Sequence, residues 1–341
     1  MQPLITVENG FTKHQFISEF VRATNNTVNL DVIDELFDRL DMDHDGQLND
    51  TECWRANREI IGQFSRLRVA LIVVDFQNDF VSGSMAIKAG SAHQNPNEAL
   101  FNINELLKDT IFSLVVYTMD WHPQNHISFW EHCRNSDRVL SEIDRGRQLM
   151  PFDTVSFDEP KCTQTLYPSH CVQNSWGAAL DQHLIHIDNA VYVKKGQDQY
   201  ADSYSAFMDN YGLKKTKLES ILCEHQIGAI LVCGLAYDIC VAATCRDGFD
   251  CGFLTALIAD CSKAFNKDGE QQTNNELLKK NVAIVTSWEA RKIARGQLIP
   301  GEWISAIVNK FLMKNCNQKD EILEEDELIR ELRNKNGNRH F

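Results

Sequence analysis

Val69-Ala-Leu-Ile-Val-Val-Asp75-Phe-Gln-Asn-Asp-Phe80 decides the fold class, because six consecutive apolar residues end on a carboxylate. A run with no polar alternation reads as a strand covered on both faces, the situation of a parallel sheet. Further apolar runs follow at 111–118, 190–193, 228–232, 253–258 and 282–286, separated by helical patterns. That rhythm predicts an α/β domain of three layers, with a central, mostly parallel sheet of about six strands between helices. In such sheets ligands bind beyond the carboxyl ends of the strands. Asp75 closes the first run and Asp120 the second, Lys195 closes Ala190-Val-Tyr-Val-Lys-Lys195, and Cys240 follows the run that starts at Ala229. All four are expected at one edge, where a thiol, a base and an ammonium make a nucleophile site.

The chain has 341 residues, 43% of them hydrophobic, enough for one large core and a smaller appended unit. A net charge of −14 disfavours nucleic acid, whose phosphates need a basic face, and anionic membranes as well. Small molecules and metal ions are the expected partners. Residues 1–10 lack the basic start and apolar run of a secretion signal, so a cytoplasmic location is expected, with the nucleus also open to it. Eleven cysteines without a Cys-x-x-Cys pair read as reduced packing thiols, apart from Cys240.

Ahead of that domain, Asp41-Met-Asp43-His-Asp45-Gly46-Gln47-Leu48-Asn49-Asp50-Thr51-Glu52 sets oxygen ligands at the spacing of an EF-hand calcium loop. Asp41, Asp43 and Asp45 supply carboxylates, Gln47 a backbone carbonyl, Asn49 a water-mediated contact and Glu52 a bidentate carboxylate, with Gly46 at the sharp turn. Apolar residues at helical spacing lead in (Ile33, Leu36, Phe37, Leu40) and out (Ile60, Ile61, Phe64). Residues 9–16 imitate the second half of such a loop without its carboxylates, Phe11 standing where Leu48 stands and Gln15 where Glu52 stands. The expected organisation is a small all-α EF-hand unit over 1–65, a hydrolase domain over 66–312 and a charged helical tail over 313–341.

From about residue 68 to 290 the chain resembles the nicotinamidase and pyrazinamidase group of the isochorismatase-like cysteine hydrolases. The resemblance is carried, in order, by Asp75-Phe-Gln-Asn-Asp-Phe80, Asp120-Trp-His122, Pro168-Ser-His170, Lys195-Gly196 with Tyr204-Ser-Ala-Phe207, and Gly234-Leu-Ala236-Tyr-Asp-Ile-Cys240. It implies Cys240 as nucleophile, Asp75 as general base and then acid, and Lys195 as the third member. It also implies an oxyanion hole from the backbone amides of Ala236 and Cys240, and a cis peptide between Leu235 and Ala236. The residue types suit that chemistry. An ordinary thiol is only a few per cent ionised at neutral pH, and Lys195, Asp75 and a helix start near Cys240 are expected to activate it.

Asp120 and His122 flank Trp121, so in an extended strand end both face the same way and call for a third ligand. The resemblance supplies His170, with His126 a candidate fourth. Two imidazoles and a carboxylate suit a divalent transition metal, zinc first and iron or manganese as alternatives. By resemblance this ion holds a pyridine nitrogen, and Phe80, Gln77, Tyr204 and Tyr167 line the substrate pocket. Tyr167 stands where bacterial members carry Trp. The implied activity is a nicotinamide amidohydrolase, releasing nicotinate and ammonia in NAD salvage. Its rivals are another cysteine amidohydrolase of the superfamily and a catalytically silent, calcium-binding scaffold. Residues 131–161 read as an insertion, either a lid or plain surface.

Overall fold

In the computed structural model, residues 4–65 and 67–313 are described. Two compact units divide the chain: Met1–Arg66 with Leu298–Phe341, and Leu67–Gln297.

In the first unit, helices α1 (Lys13–Ala23), α2 (Leu30–Leu40) and α3 (Asp50–Glu59) surround a small core. Helix α2 buries Ile33, Leu36, Phe37 and Leu40, the three-and-four spacing that puts one apolar stripe inward. Helices α1 and α3 start with matching capping boxes, Thr12 with Gln15 and Asn49 with Glu52. Just before those caps, Phe11–Thr12 pairs antiparallel with Gln47–Leu48, placing Phe11 opposite Leu48. The imitation loop and the acidic loop are therefore paired in space. Residues 301–313 are helical, and Trp303, Ile304, Ile307 and Val308 are buried. This segment joins the first unit: Ile299 N donates to Ala23 O (3.1 Å), Gly301 N to Thr27 Oγ1 (3.1 Å), and Arg55 lies 5.2 Å over the Phe311 ring. The sequence boundary at 312 thus differs from the structural one at Leu298. Apolar residues in pairs every four positions need a partner face, and here the first unit supplies it. Of the tail expected over 313–341, residue 313 belongs to this helix and 314–341 lie outside the described residues.

The second unit is built on a six-stranded sheet of β1 (Val69–Val74), β2 (Leu114–Asp120), β3 (Val191–Lys195), β4 (Ala229–Leu235), β5 (Leu254–Lys263) and β6 (Ala283–Val285). Every neighbouring pair is parallel. Strands β1 and β4 are buried throughout, as a sheet covered on both faces requires. Helix α4 (Pro96–Asp109) packs on β5 together with α7 (Ser287–Ala294). Helices α5 (Ala242–Asp250) and α6 (Gly269–Lys279) pack on one another, and Val241, Cys245 and Leu277 share a core with Ala70, Ile72 and Val74 of β1.

The strand order is β3-β2-β1-β4-β5-β6. From β1 the chain winds outward through β2 to β3, then returns and winds the other way from β4. The order reverses between β1 and β4, and that crevice at the carboxyl ends is where doubly wound sheets bind ligands. The insertion forms a separate antiparallel sheet, Val139–Leu140, Thr154–Glu159 and Cys162–Thr165, over a small core that includes Leu140, Val155, Phe157 and Leu166.

Candidate active site

Asp75 is the first residue beyond β1, fully buried, with φ at +48°. A non-glycine residue in that region costs conformational energy and persists only where its surroundings hold it. Here Thr118 of β2 holds it: Asp75 N donates to Thr118 O and Oγ1 (both 3.2 Å), and Thr118 Oγ1 donates to Asp75 Oδ1 (2.6 Å). Lys195 arrives from β3, where Asp120 and Lys195 are register partners. Its Nζ stands 2.6 Å from Asp120 Oδ1, 2.7 Å from Ser203 O, 2.9 Å from Asp75 Oδ2 and 3.5 Å from Cys240 Sγ. Asp75 Oδ2 has no hydrogen-bond partner, so the 2.9 Å contact is an ion pair off the hydrogen-bonding direction. Cys240 lies in the helical turn Tyr237–Val241, which runs into α5 and is entered through a cis peptide at Leu235–Ala236. Its sulfur and a carboxylate oxygen of Asp75 lie within 4.8 Å of one another.

Burial sets the electrostatics. Removal from water pushes the Asp75 carboxyl up to about 6, against the pull of Lys195. Burial also raises the Cys240 thiol well above its ordinary value, more than Lys195 lowers it. Burial thus opposes the activation expected from Lys195 and the helix start, which leaves Asp75 as the base that takes the thiol proton. In the resting site the thiol keeps its proton beside a carboxylate that is ionised above pH 6, so the proton moves when the nucleophile is used. Lys195 is held well above its ordinary value: burial disfavours its charge, but Asp120 and Asp75 outweigh that.

Beside this cluster, ligand atoms of Asp120, His122 and His170 lie within 4.8 Å of one another, all buried. His122 Nδ1 is 2.9 Å from Gly196 O and His170 Nδ1 is 2.8 Å from Pro168 O. Those bonds spend one nitrogen of each ring and turn the other inward, the usual second-layer support of a metal-bound imidazole. His122 Nε2 is a buried nitrogen with no hydrogen-bond partner. Two carboxylates around one ammonium also leave a net negative charge out of water, which a divalent cation offsets. The donor set therefore fits the expected metal. Gly196, at φ +62°, makes the arrangement feasible, since a Cβ there would run into the His122 ring. His126 stacks on His122 with ring centroids 4.1 Å apart, its Nδ1 2.7 Å from Ser128 Oγ, and its ring shares a second buried cluster of ligand atoms with His122 and Asp202. Burial pushes it down to about 3, so it packs as a neutral ring.

A narrow pocket opens onto Cys240, Asp120 and His170, between Phe80, Tyr167 and Tyr204. Tyr167 and Tyr204 join hydroxyls at 3.1 Å, and Phe80 lies 5.6 Å from the His170 ring. Gln77, expected in the pocket, is not part of its wall. Its amide nitrogen donates to Asp120 O and Ala178 O (both 2.8 Å) and its oxygen accepts from Asp120 N (2.8 Å). It clamps the end of β2, having no polar atom left for a ligand. The sequence reading missed Asp202, Met85, Ile87, Ile239 and Phe265, which complete the pocket wall. It also missed Thr118, although its place two residues before Asp120 puts it on the same face of β2.

The sequence model of the isochorismatase domain matches residues 69–290. The chain belongs to the isochorismatase family. Among curated relatives of this family member, the nicotinamidase of Acinetobacter baylyi is 36% identical over 219 residues, 64% of this chain and 92% of that protein. The nicotinamidase of Saccharomyces cerevisiae is 30% identical over 230 residues, 63% of this chain and 98% of its own length. Among solved structures, the Acinetobacter baumanii nicotinamidase pyrazinamidase superposes with a TM-score of 0.56 at 32% identity, covering 66% of this chain and 99% of that one. The yeast nicotinamidase bound to the inhibitor nicotinaldehyde gives 0.54 at 28% identity, covering 64% and 99%.

Proposed function

We propose that this isochorismatase family member is a nicotinamidase, an amidohydrolase that converts nicotinamide to nicotinate and ammonia. The observation that carries the reading is Cys240 Sγ standing 3.5 Å from Lys195 Nζ, beside Asp75, at the mouth of an aromatic pocket. Relatives named nicotinamidase that match over nearly their whole length support the substrate.

Cys240 Sγ attacks the carboxamide carbon as its proton passes to Asp75, and the carbonyl electrons move to oxygen. The backbone amides of Ala236 and Cys240 hold that oxyanion, each such donor lowering the barrier by about 3 to 4 kcal/mol. Collapse expels the amine, protonated by Asp75, as ammonia. Asp75 then takes a proton from water, which attacks the thioester, and nicotinate leaves as Cys240 recovers its proton. Lys195 balances Asp75 whenever that carboxylate is charged. Asp120, His122 and His170 would hold a divalent metal, zinc suiting their donors best, which would supply a Lewis-acid contact to the pyridine nitrogen. Phe80, Tyr167 and Tyr204 would enclose the ring. Nicotinamide given to the purified protein should disappear as nicotinate and ammonia appear in equal amounts; no ammonia release would refute the reading.

The acidic loop is read as a calcium site of structural role. Asp41, Asp43 and Asp45 bring carboxylate oxygens within 4.8 Å of one another, and Asp41 Oδ1 is buried with no hydrogen-bond partner. Gly46 N donates to Asp41 Oδ2 (3.0 Å) and Gln47 N to Asp45 Oδ1 (2.8 Å), folding the loop around that point. Glu52 accepts from Met42 N (2.6 Å) and Asn49 N (2.9 Å), tying its end to its start. All-oxygen ligands suit a hard cation such as Ca²⁺.

A further inference from the structure

We propose that Thr118 is a positioning residue that assigns the base role to one oxygen of Asp75, making Oδ2 the acceptor of the Cys240 proton. The inference rests on the triad reading above. Thr118 is fully buried in β2 and meets Asp75 at three points. Asp75 N donates to Thr118 O and Oγ1, both at 3.2 Å, and Thr118 Oγ1 lies 2.6 Å from Asp75 Oδ1. A hydroxyl has a single proton. Since its lone pair takes the Asp75 N–H, that proton goes to Oδ1, which is then occupied by a short, charge-assisted bond. Oδ2 is the carboxylate oxygen without a hydrogen-bond partner, and Lys195 Nζ flanks it at 2.9 Å. Of the two oxygens, Oδ2 is the one free to take a proton as the sulfur–carbon bond forms.

The same contacts hold the carboxyl plane. The last torsion of an aspartate is broad and roughly two-fold, so an unheld carboxylate would turn either oxygen to the thiol and misalign the transfer. Thr118 is not part of the pocket wall, so its hydroxyl serves the proton transfer and not the binding of substrate.

Thr118→Val, Thr118→Ala and Thr118→Ser decide the matter, with kcat and KM for nicotinamide and bound metal measured for each. Both variants without a hydroxyl should lose about 10- to 100-fold in kcat, the range expected when a proton-transfer group is misplaced. Their KM should stay within about twofold, since ground-state binding is untouched. Thr118→Ser keeps the hydroxyl and should stay within about threefold of wild type in kcat, as it retains the aligned base. Should Thr118→Val fail to fold, Ser against Ala, which differ by one oxygen atom, gives the same decision. Equal impairment of Ser and Ala overturns the proposal. So does unchanged kcat without the hydroxyl, or a loss that appears as raised KM with metal release, which would mark Thr118 as a shaper of the Asp120 strand. Wild-type turnover of nicotinamide tests the function reading separately from these ratios.

Discussion

Lys195 places one positive charge between two buried carboxylates, and that charge state sets what each neighbour can do. Removing it would leave Asp75 and Asp120 facing one another out of water. Lys195→Gln should therefore cost about 3 to 5 kcal/mol of stability, the usual result of breaking a buried ion pair, along with the activity. A melting temperature unchanged from wild type would contradict the pairing. Asp75 gives a second prediction. Its carboxyl is pushed up to about 6, and it must be ionised to accept the thiol proton. It is protonated below that value and ionised above it, so kcat/KM should rise with pH through about 6 and then level off. Asp75→Asn should lose about 10²- to 10⁴-fold and with it this acid limb, since an amide accepts no proton. Asp75, Lys195 and Cys240 were legible because each closes or follows an apolar run. The direction of the Cys240 shift was not, because depth of burial is a property of the packed site and not of neighbours in sequence.

At the scale of elements, His170 lies on a loop, and its Nδ1 is spent on Pro168 O at 2.8 Å. His170→Ala, or a strong transition-metal chelator, should weaken nicotinamide binding while the sheet, whose core is apolar, keeps its melting temperature. Collapse of the fold without a separate loss of affinity would make the metal structural. The acidic loop gives the converse case. Calcium at a hundred times its dissociation constant should stabilise the first unit by about 2.7 kcal/mol, read from its melting temperature. Glu52→Gln should remove that gain and change turnover by less than about twofold, since the site reads as structural. A large calcium-dependent rate, lost in the variant, would make the loop regulatory instead. The six strands were legible because parallel strands are apolar without interruption. The insertion sheet was not: Cys162-Thr-Gln-Thr165 is largely polar, and Thr154–Glu159 buries only alternate residues against a local core. The helix over 301–313 carried a clear apolar stripe, but its partner Thr27 lay 274 residues earlier, a pairing that no local pattern specifies.

Across the whole molecule, the site follows from topology. Asp75 and Cys240 flank the reversal between β1 and β4, and Asp120 and Lys195 come from the next two strands on one side. Four residues spread over 166 positions of sequence thus meet because four adjacent strands run the same way. The family was legible from the order of its motifs; the clamp made by Gln77 was not, since its partners are backbone atoms brought in by folding. The central claim is that Cys240 carries the acyl group of nicotinamide. Rapid mixing with nicotinamide, acid quenching and mass analysis of the Cys240 peptide test it most directly. The predicted result is a nicotinoyl thioester on Cys240 that forms and decays at rates matching turnover, with neither adduct nor ammonia from Cys240→Ala. Ammonia release that persists in Cys240→Ala would contradict it.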